Sequence, residues 1–106
     1  MACCLEAAGI RTFKGKAGSA VTVKLKSAEG GAEIVHIRYA GTALDEEPPF
    51  EFVIQAGTQN LVVLFEASKP MPVELVEACE GGAEQQLDAF DFDPTRPARV
   101  YSVVGA

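Results

Sequence analysis

Between residues 20 and 27 the side chains alternate, with Val21, Val23 and Leu25 on one side of an extended chain and Thr22, Lys24 and Lys26 on the other. Successive side chains of a strand point to opposite faces, so a period of two makes one side core and leaves the other wet. The same short period returns over residues 33–39 and 50–54, and further strand-like runs lie at 61–65, 86–92 and 99–104, with Gly, Pro, Asn and Asp turn residues between the runs. No stretch carries the spacing of a long amphipathic helix. The pattern predicts an all-β chain: a two-sheet antiparallel β-sandwich of about seven to eight strands, built as one domain over residues 1–106.

Turn chemistry suggests how the runs connect. Glu29-Gly30-Gly31 reads as a hairpin turn joining 20–27 to 33–39, in which Val35, Ile37 and Tyr39 face inward. Residues 41–49, with Asp45-Glu46-Glu47 ahead of Pro48-Pro49, read as a surface connection, because proline cannot donate to a central ladder. Phe50, Phe52 and Ile54 then face inward, and Ala56-Gly57-Thr58-Gln59-Asn60 turns the chain into a second hairpin with 61–65. That last run is apolar on both faces, as a strand central in its sheet would be. Ser68-Lys69-Pro70-Met71-Pro72 is a stiff link between sheets. Residues 73–79 fit either a short helix after Pro72 or a strand, and the β context favours the strand. Residues 11–14 read as a first edge strand, and 93–97 as a turn into the final strand.

The segment Pro49-Phe50-Glu51-Phe52-Val53-Ile54-Gln55-Ala56-Gly57-Thr58-Gln59-Asn60-Leu61-Val62-Val63-Leu64 resembles the strand, Ala-Gly turn and apolar strand of immunoglobulin-like and fibronectin-like domains. That resemblance implies a sandwich architecture and carries no functional residue with it.

Charge and cysteine usage bound the partners. The net charge of −6 disfavours a polyanion, since nucleic-acid affinity comes largely from Lys and Arg on phosphates. Residues 1–40 carry +3 and the rest −9, so early and late strands either pair their charges across a sheet or offer faces of opposite sign. No apolar run approaches the roughly 18 residues of a membrane span, and no secretory signal opens the chain. Three cysteines, Cys3, Cys4 and Cys79, imply no disulfide framework; they favour a reducing, cytoplasmic setting, with Cys79 a small core side chain and Cys3 and Cys4 in a loose terminus.

Few residues announce chemistry. His36 is the sole histidine and has no sequence partner to orient it. Gly15-Lys16-Ala17-Gly18-Ser19 holds phosphate-loop residue types in the wrong order, ahead of a strand, and reads as a turn. Asp88, Asp91 and Asp93 are candidate calcium ligands, with Glu84 or the Asp45-Glu46-Glu47 loop as added oxygens. Tyr39 and Tyr101 are the aromatics suited to stacking on a sugar ring. Tyr101, Val103, Val62 and Leu64 give the final and central strands surplus apolar surface, which predicts an interface and a two-fold dimer. No cofactor is implied. The reading that follows is a non-enzymatic module acting through a protein surface, with small-ligand or carbohydrate binding as the alternative and an enzyme third.

Overall fold

A computed structural model describes residues 3–44 and 47–106. Among the described residues there are ten strands: β1 (Glu6–Gly9), β2 (Thr12–Gly15), β3 (Ala20–Lys26), β4 (Ala32–Tyr39), β5 (Thr42–Ala43), β6 (Phe50–Val53), β7 (Gly57–Ala67), β8 (Met71–Ala78), β9 (Glu84–Phe92) and β10 (Ala98–Gly105). One short 3-10 turn, Glu80–Gly82, stands between β8 and β9. Among the described residues no helix is long and apolar enough to cross a membrane. Residues 73–78 belong to β8, as the β context predicts, and Cys79 follows the strand as the residue before the 3-10 turn.

The strands form two sheets, a six-stranded one ordered β1-β2-β10-β7-β4-β5 and a four-stranded one ordered β6-β3-β8-β9. Their apolar sides share one core. Val21, Val23, Phe52 and Leu75 from the smaller sheet and Ile37, Leu61, Val63, Tyr101 and Val103 from the larger belong to the same buried cluster. Aromatic contacts tie the layers together, with Phe65 of β7 against Phe90 and Phe92 of β9, and Tyr39 of β4 stacked on Phe52 of β6 at 4.4 Å. Pairing is antiparallel except where β10 runs parallel to β2, so the expected wholly antiparallel arrangement fails at that one seam.

Both expected hairpins are corrected. β3 pairs with β6 and β8 while β4 pairs with β5 and β7, so the chain between them crosses from one sheet to the other. Likewise β6 lies in the smaller sheet and β7 in the larger. The physical reason is that alternation reports which side of a strand meets the core and is silent about its neighbour. A strand buries the same side whether the next one lies beside it or across the core. At the first crossing Gly30 and Gly31 take φ values of 70° and 83°, a region open to glycine at little cost, and let the chain turn between layers. Consecutive strands do pair antiparallel at β1–β2, at β4–β5 and, over the longest ladder of the three, at β8–β9, from Met71↔Phe92 to Ala78↔Glu84.

Two further departures have local causes. A bulge between Ile34 and His36 adds one residue to β4, so Ile34 joins Ile37 and Tyr39 inside and Val35 does not. Thr58, Gln59 and Asn60 are strand, because β10 extends the ladder from Ala98↔Leu64 down to Gly105↔Gly57. At its far end β10 presses so close to Gln55 that a Cβ on Gly105 would collide with the Gln55 carbonyl.

Residues 3–5 are covalently held against the fold. Cys3 is disulfide-bonded to Cys79 across 76 residues, and Leu5 is buried in the core. For Cys3 and Cys79 the expectation of unbonded thiols is overturned, while Cys4 is free: the fold brings the Cys3 and Cys79 Cα atoms to 4.7 Å, a proximity that sequence separation hides.

Candidate functional site

The outward side of the six-stranded sheet is built by the parity of its two central strands. On β10, Tyr101 and Val103 are 1% and 0% exposed, so Val100, Ser102 and Val104 face out. On β7, Leu61, Val63 and Phe65 are in the core, so Val62 and Leu64 point away from it and are half-buried. Register sets Val100 beside Val62 and Ala98 beside Leu64, with Arg38 and His36 of β4 next in those rows. Val100 is 50% exposed, and Ala98 beside it on the same face is exposed as well. Ile10, 92% exposed, projects from the β1–β2 turn, and the neighbouring Arg11 carbonyl accepts a hydrogen bond from the Ser102 amide of β10 at 2.9 Å. Of the four residues expected at an interface, Val62 and Leu64 lie on this face. Tyr101 and Val103 do not, because a strand that shows Val100 to solvent must turn its next residue inward.

Tyr101 serves instead inside the fold. Its hydroxyl donates to Asp88 Oδ2 at 2.7 Å, and Arg99 Nε donates to the same oxygen at 3.0 Å. The Arg99 guanidinium also lies 3.9 Å from the Phe90 ring centre, a cation–π contact. Burial, reinforced by the Asp88 hydrogen bond, pushes the Tyr101 phenol well above its ordinary value, so it remains a neutral donor. Asp88 thus joins β9 to β10 across the core. Tyr39 is equally committed, its hydroxyl accepting from the Gln55 amide at 2.8 Å. Neither tyrosine offers a free ring for stacking.

The three aspartates have separate tasks. Asp93 Oδ1 accepts from the Thr95 amide at 2.9 Å and the Thr95 hydroxyl at 2.8 Å, which tightens the turn into β10 and holds its carboxyl below the ordinary range. Asp91 and Asp93 line a hollow of about 390 Å³ with Arg11, Arg96 and Arg99, so positive charge surrounds the oxygens that a cation would need. Among the described residues no three His, Cys, Asp or Glu side chains are placed to hold a metal ion. Glu84 is taken by Lys24 and Lys26. Asp45 and Glu46, suggested as additional ligands, lie outside the described residues.

Two features escaped sequence reasoning. One is the buried Glu77, 1% exposed on the inward side of β8, whose two oxygens accept from the Cys4 amide at 2.8 Å, the Leu5 amide at 3.1 Å and Gln85 Nε2 at 2.7 Å. Period two does place position 77 on the Val73, Leu75 side, and a charged residue there is the signal to read. The other is an open cleft of about 870 Å³ between β3, the start of β4 and the segment 47–50. Leu25, Ile34, Val35, Pro48 and Phe50 give it apolar walls, and Lys24, Glu33 and Glu47 add charge. It lies where Pro48 and Pro49 end the lane of β6 beside β3, a consequence of proline lacking an amide hydrogen. His36 is half-buried beside Leu64 and does not line this cleft. Searches of family models, curated proteins and solved structures find no match to this chain.

Proposed function

We propose that the chain is a β-sandwich of immunoglobulin-like build that works as a non-enzymatic interaction module and associates with itself through the outer side of its larger sheet. The observation that carries this reading is the apolar patch of Val62, Leu64, Ala98 and Val100 on the two central strands, where a solvated sheet would carry alternating polar side chains. The shared core of the two sheets supports the sandwich part. The chemistry-bearing side chains support the non-enzymatic part through their commitments: Asp88 and Tyr101 to each other, Glu84 to two lysines, Glu77 to backbone amides. A copy-to-copy contact with two-fold symmetry is the simplest assembly that covers one such face on every copy.

Sedimentation of the protein at high micromolar concentration, beside the Val62→Lys variant, tests the reading. The parent is expected to sediment above the 11.2 kDa of one chain and the variant as a monomer with unchanged circular dichroism. A parent that stays monomeric sinks the proposal. Small-ligand binding is the second reading, and the apolar cleft beside Pro48 is the observation that favours it.

A further inference from the structure

We propose that the Cys3–Cys79 disulfide is a reducible clasp, opened by a dithiol, whose cleavage releases residues 3–5 and uncovers the Glu77 carboxylate while the two sheets stay intact. Residues 3–5 precede β1 and belong to no strand. They are held by the disulfide, by the Leu5 side chain in the core, by a weak hydrogen bond from the Cys4 thiol to the Ala20 carbonyl at 3.4 Å, and by a small set of polar contacts around one carboxylate. The Cys4 and Leu5 amides donate to Glu77, and Gln85 Nε2 donates both to the Leu5 carbonyl at 2.6 Å and to Glu77 at 2.7 Å. The bond thus anchors the segment that supplies two of the three donors to a buried charge.

The energetics make the tether decisive. Ordering a backbone segment carries an entropic cost of the same order as the net worth of the hydrogen bonds it gains, so three residues and one apolar side chain are docked marginally once the covalent link is gone. Glu77 biases the same equilibrium. A carboxylate shielded from water needs its donors, but when the segment lifts away solvent supplies them and the burial penalty disappears. The sheets do not depend on the segment for their ladders, since β8 remains paired with β3 and β9 throughout. Both bonded cysteines are half-buried, which leaves them within reach of a small reductant.

The exchange balances with one dithiol. Its thiolate attacks one protein sulfur, the Cys3–Cys79 bond breaks, and a mixed disulfide forms. The second thiol of the reductant then closes its own disulfide and expels the remaining protein sulfur. Two electrons and two protons pass to Cys3 and Cys79, which leave as thiols. Cys4 does not compete, because burial and the Glu77 charge raise its thiol above the ordinary range and keep it protonated beside the bond.

Hydrogen exchange on the native protein, with and without dithiothreitol, tests the clasp. Reduction, verified by a mass gain of two hydrogens, is expected to speed exchange at the Cys4 and Leu5 amides by roughly tenfold or more, with the β7 amides at 61–65 unchanged. Reoxidation restores the slow exchange, and the double variant Cys3→Ser, Cys79→Ser behaves as the reduced parent does. Three outcomes overturn the proposal: slow exchange that persists at Cys4 and Leu5 after verified reduction, loss of protection throughout the core, or peptide mapping that finds Cys4 in the bond. None of these readouts depends on whether copies associate.

Discussion

Asp88, Arg99 and Tyr101 show how much one buried polar group can organise. The aspartate on β9 accepts two donors from β10, so it links the sheets by hydrogen bonds where most of their contact is apolar. Removing the Tyr101 hydroxyl leaves a largely buried carboxylate one donor short. Tyr101→Phe should therefore cost about 1–3 kcal/mol in urea unfolding at neutral pH. The sign of its pH dependence follows from the raised phenol: the neutral form is favoured in the folded chain, so this stability is intact below the ordinary value of 10.0 and is lost as pH rises beyond it. The gap between parent and variant should narrow above that pH. A gap that stays constant would mean the hydroxyl is not held in its neutral form. Glu77 teaches the complementary lesson, that a charge can be satisfied almost wholly by backbone amides and one glutamine.

At the level of strands, the outward side of the smaller sheet is held by charge. Glu84 of β9 reaches Lys24 and Lys26 of β3 across β8, and the hydrogen bonds they donate hold its carboxyl below the ordinary value of 4.5 while Lys26 is raised. A lowered carboxylate contributes stability above its unfolded value and loses it as pH falls through the folded one. Glu84→Gln should accordingly melt below the parent at neutral pH, with the two melting temperatures converging as the solution is acidified past 4.5. Divergence on acidification would refute the assignment. This pairing is also one answer to the charge asymmetry in the chain, since early lysines meet a late glutamate on one face. Much of this level was legible in the sequence. The inward sets Val21, Val23 and Phe50, Phe52, Ile54 follow from alternation, and the central place of Leu61 to Phe65 follows from its two apolar faces. Partnership was not legible, because an arch and a hairpin bury the same side of each strand. Nor could spacing reveal the bulge at Val35, or the meeting of Cys3 and Cys79. Of the residues expected at an interface, Tyr101 and Val103 lie in the core while Val100 beside them faces out, and only the parity of β10 tells these neighbours apart.

For the whole molecule, the proposed association sets an apolar patch against a net charge of −6 on every copy. Two such copies repel at long range, whereas contact between Val62, Leu64 and Val100 faces draws on burial, which added salt does not weaken. Screening shortens the reach of the repulsion from about 10 Å at 0.1 M salt to about 3 Å at 1 M. Dimer dissociation constants measured by sedimentation should therefore fall as sodium chloride rises across that range. Arg38 and His36 flank the patch and supply the test of the alternative. If they docked against acidic groups of a second copy, the same screening would weaken the complex and the constants would rise. The direction of the salt effect thus separates an apolar contact from a charge-steered one, and Arg38→Ala sharpens the distinction: it leaves an apolar dimer nearly unchanged and removes a charge-steered one.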